Sequence, residues 1–135
     1  MSINADWEKF MGGPIRAMRS GPHITISRRG VISFNKMAFD MIGKPEAVTL
    51  FYNRREQKIG MKGASPRFSE AFPVIASRPA ATTRTVLAMS FLKHYGISVT
   101  ETHKFLRPDL IGDRMLVLNL NETIIISRIR GRKKA

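Results

Sequence analysis

The stretch that decides the fold is residues 23–43, HITISRRGVISFNKMAFDMIG. Polar and apolar residues alternate over 23–27, and the apolar pattern resumes over 31–34 after Arg28-Arg29-Gly30, which predicts two strands joined by a turn. Asn35 then stands where a helix N-cap belongs. Apolar residues at helical spacing follow it, and Gly43 is expected to end the helix.

The next residues extend this pattern into a complete unit. Residues 48–52 read as a strand, residues 53–57 as a polar turn and residues 58–62 as the partner strand. The predicted order over residues 23–63 is therefore ββαββ.

A second, weaker copy of the same order is visible downstream. Residues 72–75 and 85–87 read as short strands, and a helix follows whose apolar positions are Ala88, Phe91, Leu92 and Tyr95, before Gly96. We expect a loop at 108–113 and further strands at 115–120 and 123–129. Aligning the two predicted helices also aligns Gly43 with Gly96, which indicates an internal repeat.

These patterns predict an α+β, mostly β fold class: two ββαββ-like units forming a small β-barrel with short helices. Barrel closure is expected because neither unit alone covers both faces of its sheet. The predicted divisions are an N-terminal short helix and basic linker at 1–22, a first unit at 23–63, a second, degenerate unit at 64–127, and a basic C-terminal tail at 128–135.

Length and composition exclude several classes of protein. The chain has 135 residues, 43% of them apolar, which is enough for one core but not for a dinucleotide-binding domain plus a substrate domain. It has no cysteine, which excludes disulfides and thiolate chemistry. No signal peptide or membrane span is predicted, and we expect a cytoplasmic protein, associated with the nucleoid if it binds DNA.

Charge gives the strongest functional signal. Lys and Arg number 23 against 10 Asp and Glu, for a net charge of +13. Fourteen of the basic residues are Arg, whose planar fork suits bidentate contacts with phosphate. A polyanion is the expected partner, with DNA favoured over RNA. The predicted nucleic-acid-binding residues lie in turns, at strand and helix starts and in the tail: Arg28, Arg29, Lys36, Arg54, Arg55, Lys58, Arg128, Arg130, Arg132, Lys133 and Lys134.

Residues 30–36, GVISFNK, with the helix that ends at Gly43 and the hairpin over 48–62, resemble the AbrB/MazE/SpoVT swapped-hairpin β-barrel family. A degenerate second unit would resemble the fused arrangement of MraZ-like proteins. The resemblance implies a DNA-binding transcriptional regulator that forms a dimer or higher oligomer. It carries over Arg28, Arg29 and Lys36 by position, while Phe39 and Asp40 replace the family's basic helix residues.

Other chemistry is weakly represented in the chain. There is no phosphate-binding glycine loop and no nucleophile elbow, so we expect no enzyme activity, no cofactor and no metal. Asp109 and Asp113 form the nearest approach to a carboxylate pair. His23, His94 and His103 lack a spacing that would bring them together as metal ligands.

The predicted function is non-enzymatic nucleic-acid binding by a transcriptional regulator, with the Arg-rich turns as a phosphate-binding rim. The alternative is a basic structural subunit, or an RNA-binding component, of a larger assembly. No interaction with a membrane is expected. Stacking on single-stranded bases would need exposed aromatic rings, for which Phe51, Tyr52 and Phe68 are the candidates.

Overall fold

The computed structural model describes residues 7–8 and 21–126, and this part of the chain is mostly β, with two short helices. The first five strands and first helix are β1 (Ile24–Ile26), β2 (Val31–Phe34), α1 (Lys36–Met41), β3 (Ala47–Asn53), β4 (Lys58–Ala64) and β5 (Phe72–Pro73). The others are β6 (Ile75–Ala76), β7 (Arg84–Leu87), α2 (Met89–Tyr95), β8 (His103–Phe105), β9 (Asp109–Ile111), β10 (Met115–Asn119) and β11 (Thr123–Ile125).

The described strands form two antiparallel sheets. Sheet A has the order β11-β8-β1-β2-β7-β6, and sheet B has the order β5-β3-β4-β10-β9. The predicted α+β, mostly β class is confirmed. The hydrogen-bonded ladders make two separate sheets and not the single closed barrel that we expected.

Four stretches of chain pass from one sheet to the other, and the longest, residues 35–46, carries α1 between β2 and β3. Val74 alone separates β5, which pairs with β3, from β6, which pairs with β7. Residues 106–108 separate β8 from β9, and residues 120–122 separate β10 from β11. The expected single strand at 72–75 is therefore wrong, because its two ends pair with strands of different sheets.

The predicted loop at 108–113 is also wrong in part. Asp109–Ile111 forms β9, the edge strand of sheet B, and Leu110 pairs with Leu116 of β10. Pro108 and Gly112 give the segment the local composition of a turn, but pairing with β10 outweighs that preference. The predicted strand at 123–129 is described only as far as 126, and the predicted N-terminal helix lies largely outside the described residues.

One apolar core joins the two sheets. Ile32 and Phe34 of sheet A, Met61 and Leu116 of sheet B and Leu92 of α2 are all buried in it. Among the described residues no polar or charged side chain is buried. The hydrophobic effect therefore stabilises the fold, and the charged residues in this part of the chain are all at least partly exposed.

One predicted end of each helix is confirmed, and α1 ends at Met41, one residue earlier than predicted. The Asn35 side chain accepts a hydrogen bond from the Ala38 backbone N–H at 3.1 Å, which confirms the predicted N-cap of α1. Gly96 ends α2 in the left-handed conformation with φ of 66°. Glycine is favoured there because it has no Cβ to oppose positive φ.

Candidate nucleic-acid interface

The turn that carries Arg28 and Arg29 is packed against the start of α2. The Ala88 backbone N–H donates a hydrogen bond to the Gly30 carbonyl at 2.7 Å. Gly30 has φ of +79°, and a Cβ at this position would come within 2.8 Å of Met89 Cα. Only glycine permits this close approach, so the position of the Arg28-Arg29 turn relative to α2 is fixed by the backbone.

The turn that carries Arg54 and Arg55 lies at the other end of the same helix. The Glu56 backbone N–H donates to Asn53 Oδ1 at 3.0 Å, which shapes the turn. The Arg54 guanidinium lies 5.5 Å from the ring centroid of Tyr95, the last residue of α2. This contact is within the range of a cation–π interaction and holds the guanidinium beside the helix.

The two arginine turns are thus brought together by α2, whose length from Met89 to Tyr95 is about 9 Å. Lys93 is exposed on the helix between them. We call the set Arg28, Arg29, Arg54, Arg55 and Lys93 the α2 face. Sequence reasoning missed Lys93, because a single exposed lysine in a helix carries no local signal of a site.

No carboxylate neutralises the α2 face within the described residues. None of its five basic side chains takes part in an ion pair with a described acid. Glu56 adjoins Arg55 in sequence, but its carboxylate contacts the Lys58 ammonium at 3.1 Å. The positive charge of this face is therefore available to an anion from outside the chain.

Two other predicted binding residues lie elsewhere and are neutralised. Lys36 follows β2, about 13 Å from the Arg28-Arg29 turn along that strand. Its ammonium contacts Asp40 at 3.0 Å. Lys58 is half-buried at the start of β4 and pairs with Glu56. The predicted tail residues Arg128, Arg130, Arg132, Lys133 and Lys134 lie outside the described residues.

The first helix, α1, also has charged side chains on it and in a turn beside it, but these include carboxylates. Asp40 of α1 lies within 4.0 Å of the Lys44 ammonium as well as contacting Lys36. The turn between β9 and β10 lies at the end of α1, because the Arg114 guanidinium would be 3.0 Å from a Cβ at Gly43. In that turn Asp113 pairs with Lys62 at 3.4 Å. We call Lys36, Asp40, Lys44, Asp113 and Arg114 the α1 face.

A further group of basic residues lines a groove beside the first hairpin. Lys104 and Arg107 border it, together with Pro22, His23 and Asn35. Sequence reasoning missed these two basic residues because they come from β8 and the residues after it, far from the hairpin in sequence. Arg107 is paired with Glu122 at 3.2 Å.

The aromatic candidates for base stacking differ in exposure, and neighbouring residues 51 and 52 face opposite ways as the strand pattern predicts. Tyr52 packs inward, with its ring centroid 6.3 Å from that of Phe91 and 5.0 Å from that of Tyr95. Phe51 faces outward and is 45% exposed, and Phe68 is exposed in a loop. Neither exposed ring belongs to the α2 face.

The acidic pair and the histidines do not converge. Asp109 borders two clefts, and neither of them is lined by Asp113 or by a histidine. His94 is exposed near the end of α2, as predicted. Within the described ranges, no group of three or more acidic or histidine side chains is arranged to hold a metal ion.

Comparison of the chain with protein-family models, with curated proteins and with solved structures finds no match. In the part of the chain that the structure describes, neither helix has the length and apolar character required to cross a membrane.

Proposed function

We propose that the protein binds nucleic acid, with duplex DNA the preferred partner, through the α2 face. The observation that carries this proposal is the position of Arg28-Arg29 and Arg54-Arg55 at opposite ends of one helix, with no described carboxylate paired to any of them. Arginine forks on fixed turns suit the oxygens of successive phosphates.

The contrast between the two helices favours α2 over α1 as the contact element. The α1 face holds Asp40 and Asp113, whose carboxylates lie beside lysines at 3.0 Å and 3.4 Å. Such exposed ion pairs contribute little to stability, but the negative charge of their carboxylates opposes the approach of a phosphate backbone. The turn that carries Arg54 and Arg55 holds one acid, Glu56, which pairs with Lys58 at 3.1 Å. The five basic side chains of the α2 face are left without an ion pair by the described residues, so phosphate binding there neutralises uncompensated charge.

The dimensions of the α2 face are also suitable for a duplex. The two turns are separated by a helix of about 9 Å, and the major groove of DNA is about 12 Å wide. Ser90, Lys93 and His94 are exposed between the turns. Phosphate contacts by the arginines would therefore bring these helix side chains toward the base edges.

We also propose that residues 24–64 and 72–125 are two copies of one swapped-hairpin unit, as the resemblance to the AbrB/MazE/SpoVT family implies. The strand pairing supports this proposal. In each half two strands pair ahead of a helix, as β1 with β2 and β6 with β7. Strand β1 also pairs with β8, the strand after the helix of the other half. In the second half the two pairings of β1 are divided between two short strands, since β6 pairs with β7 and β5, one residue earlier, pairs with β3.

The register of the central ladder supports the same proposal. Strand β2 pairs with β7 so that Val31 faces Leu87 and Phe34 faces Arg84. The two halves can be exchanged so that Val31 takes the place of Arg84 and Phe34 takes the place of Leu87. After this exchange the same pairs of residues still face each other, so the ladder is symmetric. Strands β4 and β10 likewise pair with each other, one from each half. On this pairing and register we propose that the chain belongs to this family, with the two sheets forming the two sides of a small barrel.

The proposal is tested by fluorescence-anisotropy titration of duplex DNA, single-stranded DNA and RNA at low salt. We expect the tightest binding for duplex DNA and a loss of at least tenfold in the R28A/R29A variant. The matched control is R67A/R78A, which removes the same charge from two exposed arginines in the loops after β4 and β6. Equal losses in both variants, or no complex with any of the three, would overturn the proposal.

A second candidate, a subunit of a larger assembly, is favoured by the exposed apolar side chains on the edge strands of both sheets. Ile111 of β9 is 43% exposed, and Ile124 and Ile125 of β11 are 49% and 57% exposed. Unpaired edges with apolar side chains are suited to pairing with another chain. Light scattering on the purified chain tests this candidate, since a lone monomer at high concentration would argue against self-association through these edges.

A further inference from the structure

A second binding feature lies between the two sheets at the end of α2. It is a cleft of about 300 Å³, bordered on one side by Tyr52 and Arg54 and on the other by His103 and Thr123. The residues after α2, 96–99, close its third side. A cleft of this size is at the lower end of the range for sites that bind small molecules.

The lining of this cleft is largely polar, unlike the core beside it. The core that joins the two sheets is apolar, and no polar side chain in the described residues is fully buried. The residues that line the cleft, by contrast, carry a guanidinium, an imidazole, two phenol groups and two carboxamides. These groups belong to Arg54, His103, Tyr52, Tyr95, Gln57 and Asn121.

The electrostatic character of the cleft selects for an anion. None of its lining residues is acidic, and Arg54 carries a permanent positive charge. The donors available to a ligand include the guanidinium, hydroxyl and carboxamide groups. An oxyanion would satisfy these donors, whereas a cation would meet no compensating charge.

Two of the groups are already held in place. The contact between the Arg54 guanidinium and the Tyr95 ring, at 5.5 Å, restricts the arginine. His103 Nδ1 lies 2.9 Å from Thr123 Oγ1, which orients the imidazole ring. When Thr123 donates its hydroxyl hydrogen to Nδ1, the neutral imidazole keeps its own hydrogen on Nε2 as a donor to a ligand. Holding these groups in advance reduces the entropy cost of binding.

The cleft also has an apolar part. Ile26, Ile97, Val99 and Leu120 complete its lining. A ligand with a small apolar body attached to a charged oxyanion head would therefore match both parts. We propose that this cleft binds a small organic oxyanion, a phosphate monoester or a carboxylate, with the charged head at Arg54 and His103. This inference goes beyond nucleic-acid binding and does not depend on it.

The test is a titration of the full-length chain followed by the NMR resonances of the histidine rings. Phenyl phosphate and benzoate serve as probes of the two head groups, and inorganic phosphate tests whether the apolar body contributes. We expect a saturable shift of the His103 ring with one or both organic probes. His23, which does not line the cleft, is the internal reference.

The variant pair R54A and R55A makes the test specific. Both remove one exposed arginine from the same turn, but only Arg54 lines the cleft. We expect R54A to weaken the binding of the organic probe at least tenfold and R55A to change it less than twofold, with circular dichroism verifying that both variants are folded. Equal weakening by both variants would mean diffuse attraction to a basic surface and would overturn the proposal. So would the lack of any saturable His103 shift up to roughly 10 mM probe, well above a Kd of about 1 mM.

If only benzoate binds, the ligand is a carboxylate, and if only phenyl phosphate binds, it is a phosphate monoester. Either result supports the oxyanion site. Inorganic phosphate that binds as tightly as phenyl phosphate would overturn the role given to the apolar lining. Because none of these readouts involves nucleic acid, they succeed or fail separately from the proposed function.

Discussion

At the scale of single residues, Gly30 has the largest structural consequence in the proposed interface. Its φ of +79° disfavours any side chain, and a Cβ would collide with the Met89 backbone at 2.8 Å. We expect Gly30→Ala to lower the free energy of unfolding by about 2 kcal/mol or more, since backbone strain and steric overlap both act. Urea denaturation measures this loss.

The matched control is Gly96→Ala. Gly96 also has positive φ, at +66°, but no atom lies within 4 Å of a Cβ there. This variant should cost only about 1 kcal/mol from backbone strain. Equal losses in the two variants would show that overlap of the added methyl group with Met89 costs nothing beyond the strain of positive φ.

Asn35 supports both α1 and the segment before β1. Its Oδ1 accepts from the backbone N–H groups of Ala38 and His23, each at 3.1 Å, and its Nδ2 donates to the Gly21 carbonyl at 3.1 Å. Asn35→Ala should therefore lower the free energy of unfolding by about 1–2 kcal/mol. Asn35→Asp keeps the acceptor oxygen and should lose less stability than Asn35→Ala. Thermal unfolding of the two variants measures this order, and a lower melting temperature for Asn35→Asp would contradict it.

At the scale of elements, the presence or absence of a carboxylate on each helix determines which helix is better suited to contact phosphate. Lys93 lies on α2, whereas α1 carries Asp40 between two lysines. We expect Lys93→Glu to weaken duplex binding about tenfold or more, because it removes a phosphate contact and adds a repulsive charge. Lys44→Glu makes the same change of charge on the α1 face, and anisotropy titration should show a much smaller effect.

Local sequence was sufficient to predict the strands and helices whose ends are marked by a turn, a capping residue or a glycine. The turn at Arg28-Arg29, the cap at Asn35 and the helix end at Gly96 all occur where expected. Strand β9 was missed because Pro108 and Gly112 surround three exposed residues, and only pairing with β10 makes them a strand. Long-range pairing of this kind leaves no periodic signal in a short segment.

The same distinction applies to the candidate site. Sequence identified the four arginines because they lie in turns between predicted strands. Their approach to α2 depends on contacts between distant parts of the chain, such as Ala88 with Gly30 and Tyr95 with Arg54. The inter-sheet cleft was missed for the same reason, since its lining comes from β1, β3, α2, β8, β11 and three connecting segments.

At the scale of the whole molecule, the α2 face and the inter-sheet cleft share Arg54. An oxyanion held in the cleft would compete with a phosphate of DNA for this guanidinium. We expect saturating phenyl phosphate to weaken duplex binding several-fold relative to sodium chloride of the same ionic strength. An identical effect of the two salts in an anisotropy assay would mean that the two sites are independent.

The central claim is that the two arginine turns act as one phosphate-binding surface across α2. The most direct test is the dependence of duplex affinity on salt concentration, measured for the wild type, R28A/R29A, R54A/R55A and the control R67A/R78A. Each phosphate neutralised contributes about 0.9 to the slope of log affinity against log salt. The expected result is that each of the first two variants reduces the slope by about 2 and that the control leaves it unchanged. Equal reductions in all three variants, or a reduction in only one of the two turns, would contradict it.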